Sequence, residues 1–228
     1  VPIRALDLRL KPGKWAFAET EKTRIAEHWR KLADANPKIW NGDVLICSGA
    51  AIEAQTLTGQ FIRTDYASFV AWRDWGWPDK SVCNVFGSAA VLSADQAVLY
   101  GRMASHTLNA GKIYPPGGSL EMRDVGANGQ VDIMGSITRE FEEETGLKAE
   151  DAERGQLLVI FDGPRLSVAQ VFRFAQDAEA LARQVRHYLT SAHEDELSDI
   201  VVIGSPSQID PAIPPYAIAL ARYLIKAS

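Results

Sequence analysis

The chain has 228 residues, of which 46% are hydrophobic and 23% charged, and its formal net charge is −5. That length supports a sizeable core without disulfides. The acidic balance gives no reason to expect a nucleic-acid or membrane partner, although a local basic pocket can still receive a nucleotide. Cys47 and Cys83 are the two cysteines and lack metal-ligand spacing, so reduced thiols in a cytoplasmic protein are expected, with a disulfide as the alternative; no run of 18 apolar residues appears.

Apolar and charged residues alternate from Val1 to Leu10, the pattern of a strand. Residues 17–35 read as an amphipathic helix with Ile25, Trp29 and Leu32 on one side, and His28 there has no second ligand at metal spacing. Three short strands are expected at 43–48, 51–57 and 60–63, separated by Gly49 and Gly59. A helix follows over 64–73, capped by Thr64 or Asp65. Trp72, Trp75 and Trp77 crowd its end, either as packing residues or as a stacking wall for a base or sugar. Residues 1–80 thus form a small N-terminal α/β subdomain, and a second domain occupies 81–228. It opens with strands at 82–92 and 97–102 around Ala94-Asp95. Later come a strand pair, 156–161 and 167–174, about Asp162-Gly163-Pro164, a helix at 178–188, a strand at 200–203 and a closing helix at 216–226.

The densest chemistry lies in Arg139-Glu140-Phe141-Glu142-Glu143-Glu144-Thr145-Gly146-Leu147. Helical spacing places Glu140, Glu143 and Glu144 on one face, with Glu142 turned away and Phe141 as a core anchor. Three like charges so placed destabilise a helix unless a cation sits among them; oxygen-only ligands suit Mg²⁺ or Mn²⁺. The competing reading is a solvated acidic face. Gly146 ends the helix, and a Pro115-Pro116-Gly117-Gly118 turn lies upstream.

These residues resemble the Nudix hydrolase family, whose box reads Gly-x5-Glu-x7-Arg-Glu-U-x-Glu-Glu-x-Gly-U, with U a bulky apolar residue. Arg139–Leu147 matches the second half, and Gly117-Gly118-Ser119-Leu120-Glu121 is similar to the opening. Residues 122–131, with Gly126 and Gly129, read as an inserted surface loop. Asp132 then stands as the acidic residue before the helix, one position closer to Arg139 than the family has it; a helix N-cap is its other account.

The resemblance implies an α/β/α sandwich with a mixed sheet, preceded by the N-terminal addition, and a metal-dependent pyrophosphohydrolase that converts NDP-X to NMP and P-X. The substrate would be a nucleoside diphosphate derivative of the UDP-sugar, ADP-ribose or coenzyme A kind. Glu140, Glu143 and Glu144 would hold Mg²⁺ or Mn²⁺ together with a main-chain carbonyl at Gly117 or Gly118, and Arg139 would pair with a carboxylate. A late glutamate, Glu196 first and Glu194 second, would be a further ligand or the general base, against the reading of a solvated acidic loop. Arg102, Tyr114, Gly117 and Gly118 would meet the substrate, with a strand-end salt bridge as the other role for Arg102. The coenzyme A branch of the family is matched by Gly111 but not by Pro115, and the internal arginine is absent. The UDP-sugar branch is similar in its Thr64-Asp65-Tyr66-like helix. A homodimer is a family-level expectation. A different class stays open, a Nudix domain without catalysis that senses nucleotides or binds protein, because the first half of the box is altered.

Overall fold

The computed structural model describes residues 1–191 and 196–226; Glu194 falls outside them. The sheet is built on β5 (Val82–Leu92), a nearly continuous run of small and apolar residues suited to burial on both faces. Along one edge β5 pairs in parallel with β9 (Arg165–Arg173), from Asn84↔Arg165 to Leu92↔Arg173. β9 pairs antiparallel with β8 (Glu153–Asp162), and β8 receives the short β1 (Pro2–Ile3).

The other edge of β5 is shared. At its start it meets β3 (Asp43–Glu53) through Cys47↔Cys83 and Ser48↔Val82; at its end it meets β6 (Val98–Met103) through Val91↔Leu99 and Leu92↔Val98. Beyond β3 lie β4 (Thr56–Asp65) and then β2 (Ala5–Leu10), which runs parallel to β4. Beyond β6 lie β7 (Ile113–Tyr114) and β10 (Leu197–Ile203). The strands of residues 1–80 therefore continue the sheet that β5 anchors.

Alternation along β5 sets the layers. Val85, Ala89 and Val91 share a core with Ile133, Ile137 and Phe141 of α4 (Ile133–Thr145) and with Leu181 and Val185 of α5 (Ala178–Ser191). Ala90 and Leu92 face the opposite way, into a second core with Ala217 and Leu220 of α6 (Pro215–Lys226). A mixed sheet lies between helices on both faces, the α/β/α sandwich expected. β3 divides its side chains in the same manner: Leu45 and Cys47 enter the α4 core, while Val44 and Ile46 pack with Phe69, Val70 and Trp72 of α3 (Tyr66–Asp74).

Four local expectations are corrected. Residues 16–35 form two helices, Ala16–Thr20 and Lys22–Ala35, meeting at Glu21 with φ −96° and ψ 12°. The three short strands of 43–63 are two long ones. Gly49 (φ +66°) marks the bulge where the β3–β4 register shifts between Ser48 and Ala51. Gly59 lies inside β4, where an added Cβ would stand 2.8 Å from Cys47 Sγ. The turn falls instead at Ala54-Gln55, both left-handed at φ 46° and 63°, a hairpin geometry that Gly or Asn more often supplies. Finally, residues 122–131 are not a free loop. They begin with a helical turn (Met122–Asp124), then fold back through a Val125↔Val131 bridge, and are tied to β2 by Val131 N–H to Leu8 O at 2.9 Å and Leu10 N–H to Gly129 O at 2.8 Å. No helix among the described residues is long and apolar enough to cross a membrane.

Candidate active site

Because β3 and β6 take opposite ends of one β5 edge, that edge is open in between, and the segment 115–119 fills the gap. Ala89 N–H donates to Pro116 O at 2.7 Å, and Phe86 bridges Ser119. Gly117 (φ +148°) comes so close to β5 that an added Cβ would lie 2.3 Å from Gly87 O. No other residue type fits both the backbone angle and the contact. A cleft of about 720 Å³ opens above this loop.

Helix α4 delivers the box glutamates to the loop. Asp132 caps its N-terminus, accepting from Gly135 N–H at 2.9 Å, and Gly146 (φ +68°) ends it in a left-handed turn. Phe141, fully buried, stacks on Phe172 with ring centroids 5.0 Å apart and fixes the helix rotation. On the opposite face the Glu144 carboxylate is buried and accepts from Gly117 N–H at 3.3 Å. Glu140 lies beside Gly118, where an added Cβ would be 3.1 Å from Glu140 Oε2. Burial raises the Glu140 pKa, opposed by the Arg139 and Arg123 guanidiniums and assisted by the negative charge of Glu143. Glu143 itself is exposed, and its carbonyl accepts from Tyr188 Oη at 2.8 Å.

Arg139 lies between two carboxylates, with Nη1 2.9 Å from Asp124 Oδ1 and Nη2 3.0 Å from Glu140 Oε1. Burial works against its charge, but the bonds to Asp124 and Glu140 outweigh that and raise its pKa. The Asp124 side chain is 1% exposed, and its Oδ2 accepts from Glu121 N–H at 2.9 Å. Asp124, not Asp132, is therefore the acid that faces the box arginine. The sequence held the signal: Gly118 and Asp124 are separated by five residues, the Gly-x5-acid spacing of the box opening. The extra length lies after Asp124, in the hairpin tied to β2, rather than from Met122 onward. Arg123 adds a second guanidinium, 3.2 Å from Glu140 Oε1 and 3.1 Å from Glu121 Oε2.

Of the remaining predicted residues, Tyr114, Gly117, Gly118 and Glu196 line the cleft. Burial holds the Tyr114 phenol neutral, well above its ordinary pKa, and its oxygen accepts from Asn109 Nδ2 at 3.1 Å. Glu196 is exposed, held at its backbone carbonyl by Ala104 N–H at 2.8 Å, and its charge reaches both Tyr114 and Tyr66. Arg102 is not brought in. It lies outside the cleft lining, with Nη2 4.0 Å from Asp210 Oδ2, the strand-end ion pair that is its other expected role. Among the three tryptophans at the end of α3, Trp72 is buried and Trp75 packs on Phe17, while Trp77 lines the cleft. Trp40 and Lys112 also line it and carried no motif in the sequence.

The donor set for a divalent cation is all oxygen, on one helix face, beside a glycine loop with room for no side chain. Among the described residues no three carboxylates, imidazoles or thiols are gathered into a cluster; Glu140 turns to the arginines, Glu144 to Gly117 and Glu143 to solvent. Oxygen donors of this kind suit a hard divalent cation, and the glutamate rotamers would have to turn from these partners to share one.

No protein-family model and no curated protein matches the sequence. Solved structures similar to the chain include the MutT protein of Methanosarcina mazei, at 18% identity over 63% of this chain and 94% of that one with a TM-score of 0.40. A MutT Nudix hydrolase of Burkholderia pseudomallei gives 16%, 61%, 95% and 0.39 in the same order. A bifunctional NMN adenylyltransferase/ADP-ribose pyrophosphatase of Francisella tularensis gives 22%, 59%, 37% and 0.38. The solved structures that the chain is similar to thus include Nudix hydrolases, the family its Arg139–Leu147 stretch resembles.

Proposed function

We propose that the protein is a Nudix pyrophosphohydrolase that cleaves the diphosphate bond of a nucleoside diphosphate derivative, NDP-X and water giving NMP and P-X. The observation that carries this reading is the packing of Glu140 and Glu144 against the Gly117-Gly118 loop at the floor of the cleft. Glu140, Glu143 and Glu144, with the main-chain carbonyl of Gly118, would hold Mg²⁺ or Mn²⁺, which supplies neutralisation of the diphosphate oxygens and polarisation of the attacking water. Arg139, clamped by Asp124, restricts the rotamer of Glu140. The cleft lining carries Lys38, Arg73, Lys112, Arg123 and Arg165 against Asp43, Glu121, Glu140 and Glu196. Its charge is thus close to balanced in a chain whose net charge is −5, and an anionic substrate meets less repulsion there than from the chain as a whole. Glu196, which lines the same cleft, would take the proton of the attacking water. The 720 Å³ volume accommodates a ligand of dinucleotide size.

The binding-module alternative draws on one observation, the engagement of Glu140 by two guanidiniums. One experiment separates them: release of nucleoside monophosphate from UDP-sugars, ADP-ribose, NADH, coenzyme A and dinucleoside polyphosphates, with Mg²⁺ or Mn²⁺ and an EDTA control. Hydrolysis of one class that EDTA abolishes supports the enzyme and names X; binding without turnover across the panel supports the module.

A further inference from the structure

The chain has six tryptophans, and five of them, Trp15, Trp29, Trp72, Trp75 and Trp77, make contacts with another aromatic ring. Trp40 is the exception among the described residues. It is 70% exposed and lines the cleft. A single exposed aromatic is ordinary on a mobile loop. This one stands on a segment fixed along its length. Asn36 Nδ2 donates to His106 O, Ala67 N–H donates to Asn41 Oδ1 at 2.8 Å and Tyr66 N–H to Gly42 O at 2.8 Å. Leu45 N–H donates to Leu120 O at 2.8 Å, two residues past Gly118. The indole packs against Gly42, where an added Cβ would be 2.4 Å from two of its ring carbons, and the residue is otherwise 70% exposed.

An exposed indole on a hydrogen-bonded segment, lining the same cleft as the Gly117-Gly118 loop, is the geometry of a stacking platform. We infer that Trp40 stacks on the planar base of the nucleotide, so that the N-terminal segment selects the nucleoside half of the substrate while the box acts on the diphosphate. Lys38, two residues away and also lining the cleft, adds positive charge at the same end. This rests on the nucleotide reading of the cleft, and its test does not require turnover.

The experiment is calorimetric titration of the full chain with nucleoside monophosphates carrying purine or pyrimidine bases, and with methylenebisphosphonate, a diphosphate mimic with two phosphonates and no base. Wild type, Trp40→Ala and Trp40→Phe are compared in Mg²⁺. Trp40→Ala is expected to weaken the preferred monophosphate by about tenfold, with Trp40→Phe recovering most of the loss and the bisphosphonate unchanged in all three. Equal weakening of both probes, no weakening, or wild type that binds no base-containing probe overturns the inference. Because Trp40 is exposed, the variants should keep the wild-type melting temperature. If EDTA-sensitive hydrolysis is present and Trp40→Ala leaves KM for its nucleotide substrate unchanged, the stacking role fails and the hydrolase reading stands. If hydrolysis is absent and Trp40→Ala still loses the monophosphate, the hydrolase reading fails and the stacking role stands.

Discussion

At the box end of the cleft most of the charged groups are held: Asp124 by Arg139, Arg139 by Glu140, Glu140 by Arg123, and Glu144 by a backbone amide, with Glu143 turned to solvent. At the other end Trp40 stands 70% exposed on a segment whose backbone is fixed and whose ring is not. The difference separates two tasks. On the proposed reading, charges that would meet a diphosphate are set in place by mutual bonds, because an unpaired charge near the core is costly. A surface that would meet a base needs only an exposed flat apolar face, and its desolvation by the ligand would contribute to binding.

If the box end carries the chemistry, Glu144→Gln should lower metal-dependent hydrolysis by on the order of a hundredfold or more, since several kcal/mol of charge stabilisation depend on a filled ligand set. A steady-state assay with titrated Mg²⁺ checks it, and retention of full turnover would remove Glu144 from the site. The neighbouring variant Asp124→Ala should destabilise the fold by about 3 kcal/mol, because it removes the buried carboxylate that faces Arg139 and leaves Glu140 as the guanidinium's remaining ion-pair partner. Urea denaturation reads that loss. Asp132→Ala should cost about 1 kcal/mol, the worth of a helix cap, with hydrolysis retained. If the two aspartates exchanged these outcomes, the assignment of Asp124 as the box acid would be wrong. Gly117→Ala falls between them, at about 2 kcal/mol, through a left-region backbone and the approach to Gly87 O.

The same contrast explains what the sequence disclosed. Arg139 to Leu147 is contiguous, so helical spacing alone placed Glu140 and Glu144 on one face and Phe141 on the other, and β5 was readable as an apolar run. The long-range parts were not. Asp124 falls inside the stretch that reads as an insertion, 122–131, which leaves Asp132 as the acidic residue before the helix, and only the fold shows that the extra residues follow Asp124 and pair with β2. Trp40 lies in a stretch without periodicity, and nothing local says that Asn36, Asn41 and Leu45 tie it to three separate segments. Gly49 and Gly59 misled for a physical reason: a glycine in a strand marks a bulge or a close approach as readily as a turn, and here it marks one of each.

The seam between the two ends supplies the mildest test. β3 joins β5 through Cys47↔Cys83, and both thiols are free. Hydrogen bonding from the Cys47 thiol lowers the pKa of Cys83, while that contact together with burial pushes Cys47 far up. Cys83 is also the more accessible of the two, so iodoacetamide should modify it first, with the onset of reaction at lower pH than for an ordinary thiol, about 8.5. In Cys47→Ala the donor is gone and the onset should move to higher pH. Peptide mapping after short exposures across pH 6 to 10 reads both positions at once. Preferential labelling of Cys47, or a Cys83 profile indifferent to Cys47→Ala, would show that the strands at the seam separate readily in solution. The N-terminal segment would then be less firmly fixed to β5 than the pairing requires, and the Trp40 ring with it.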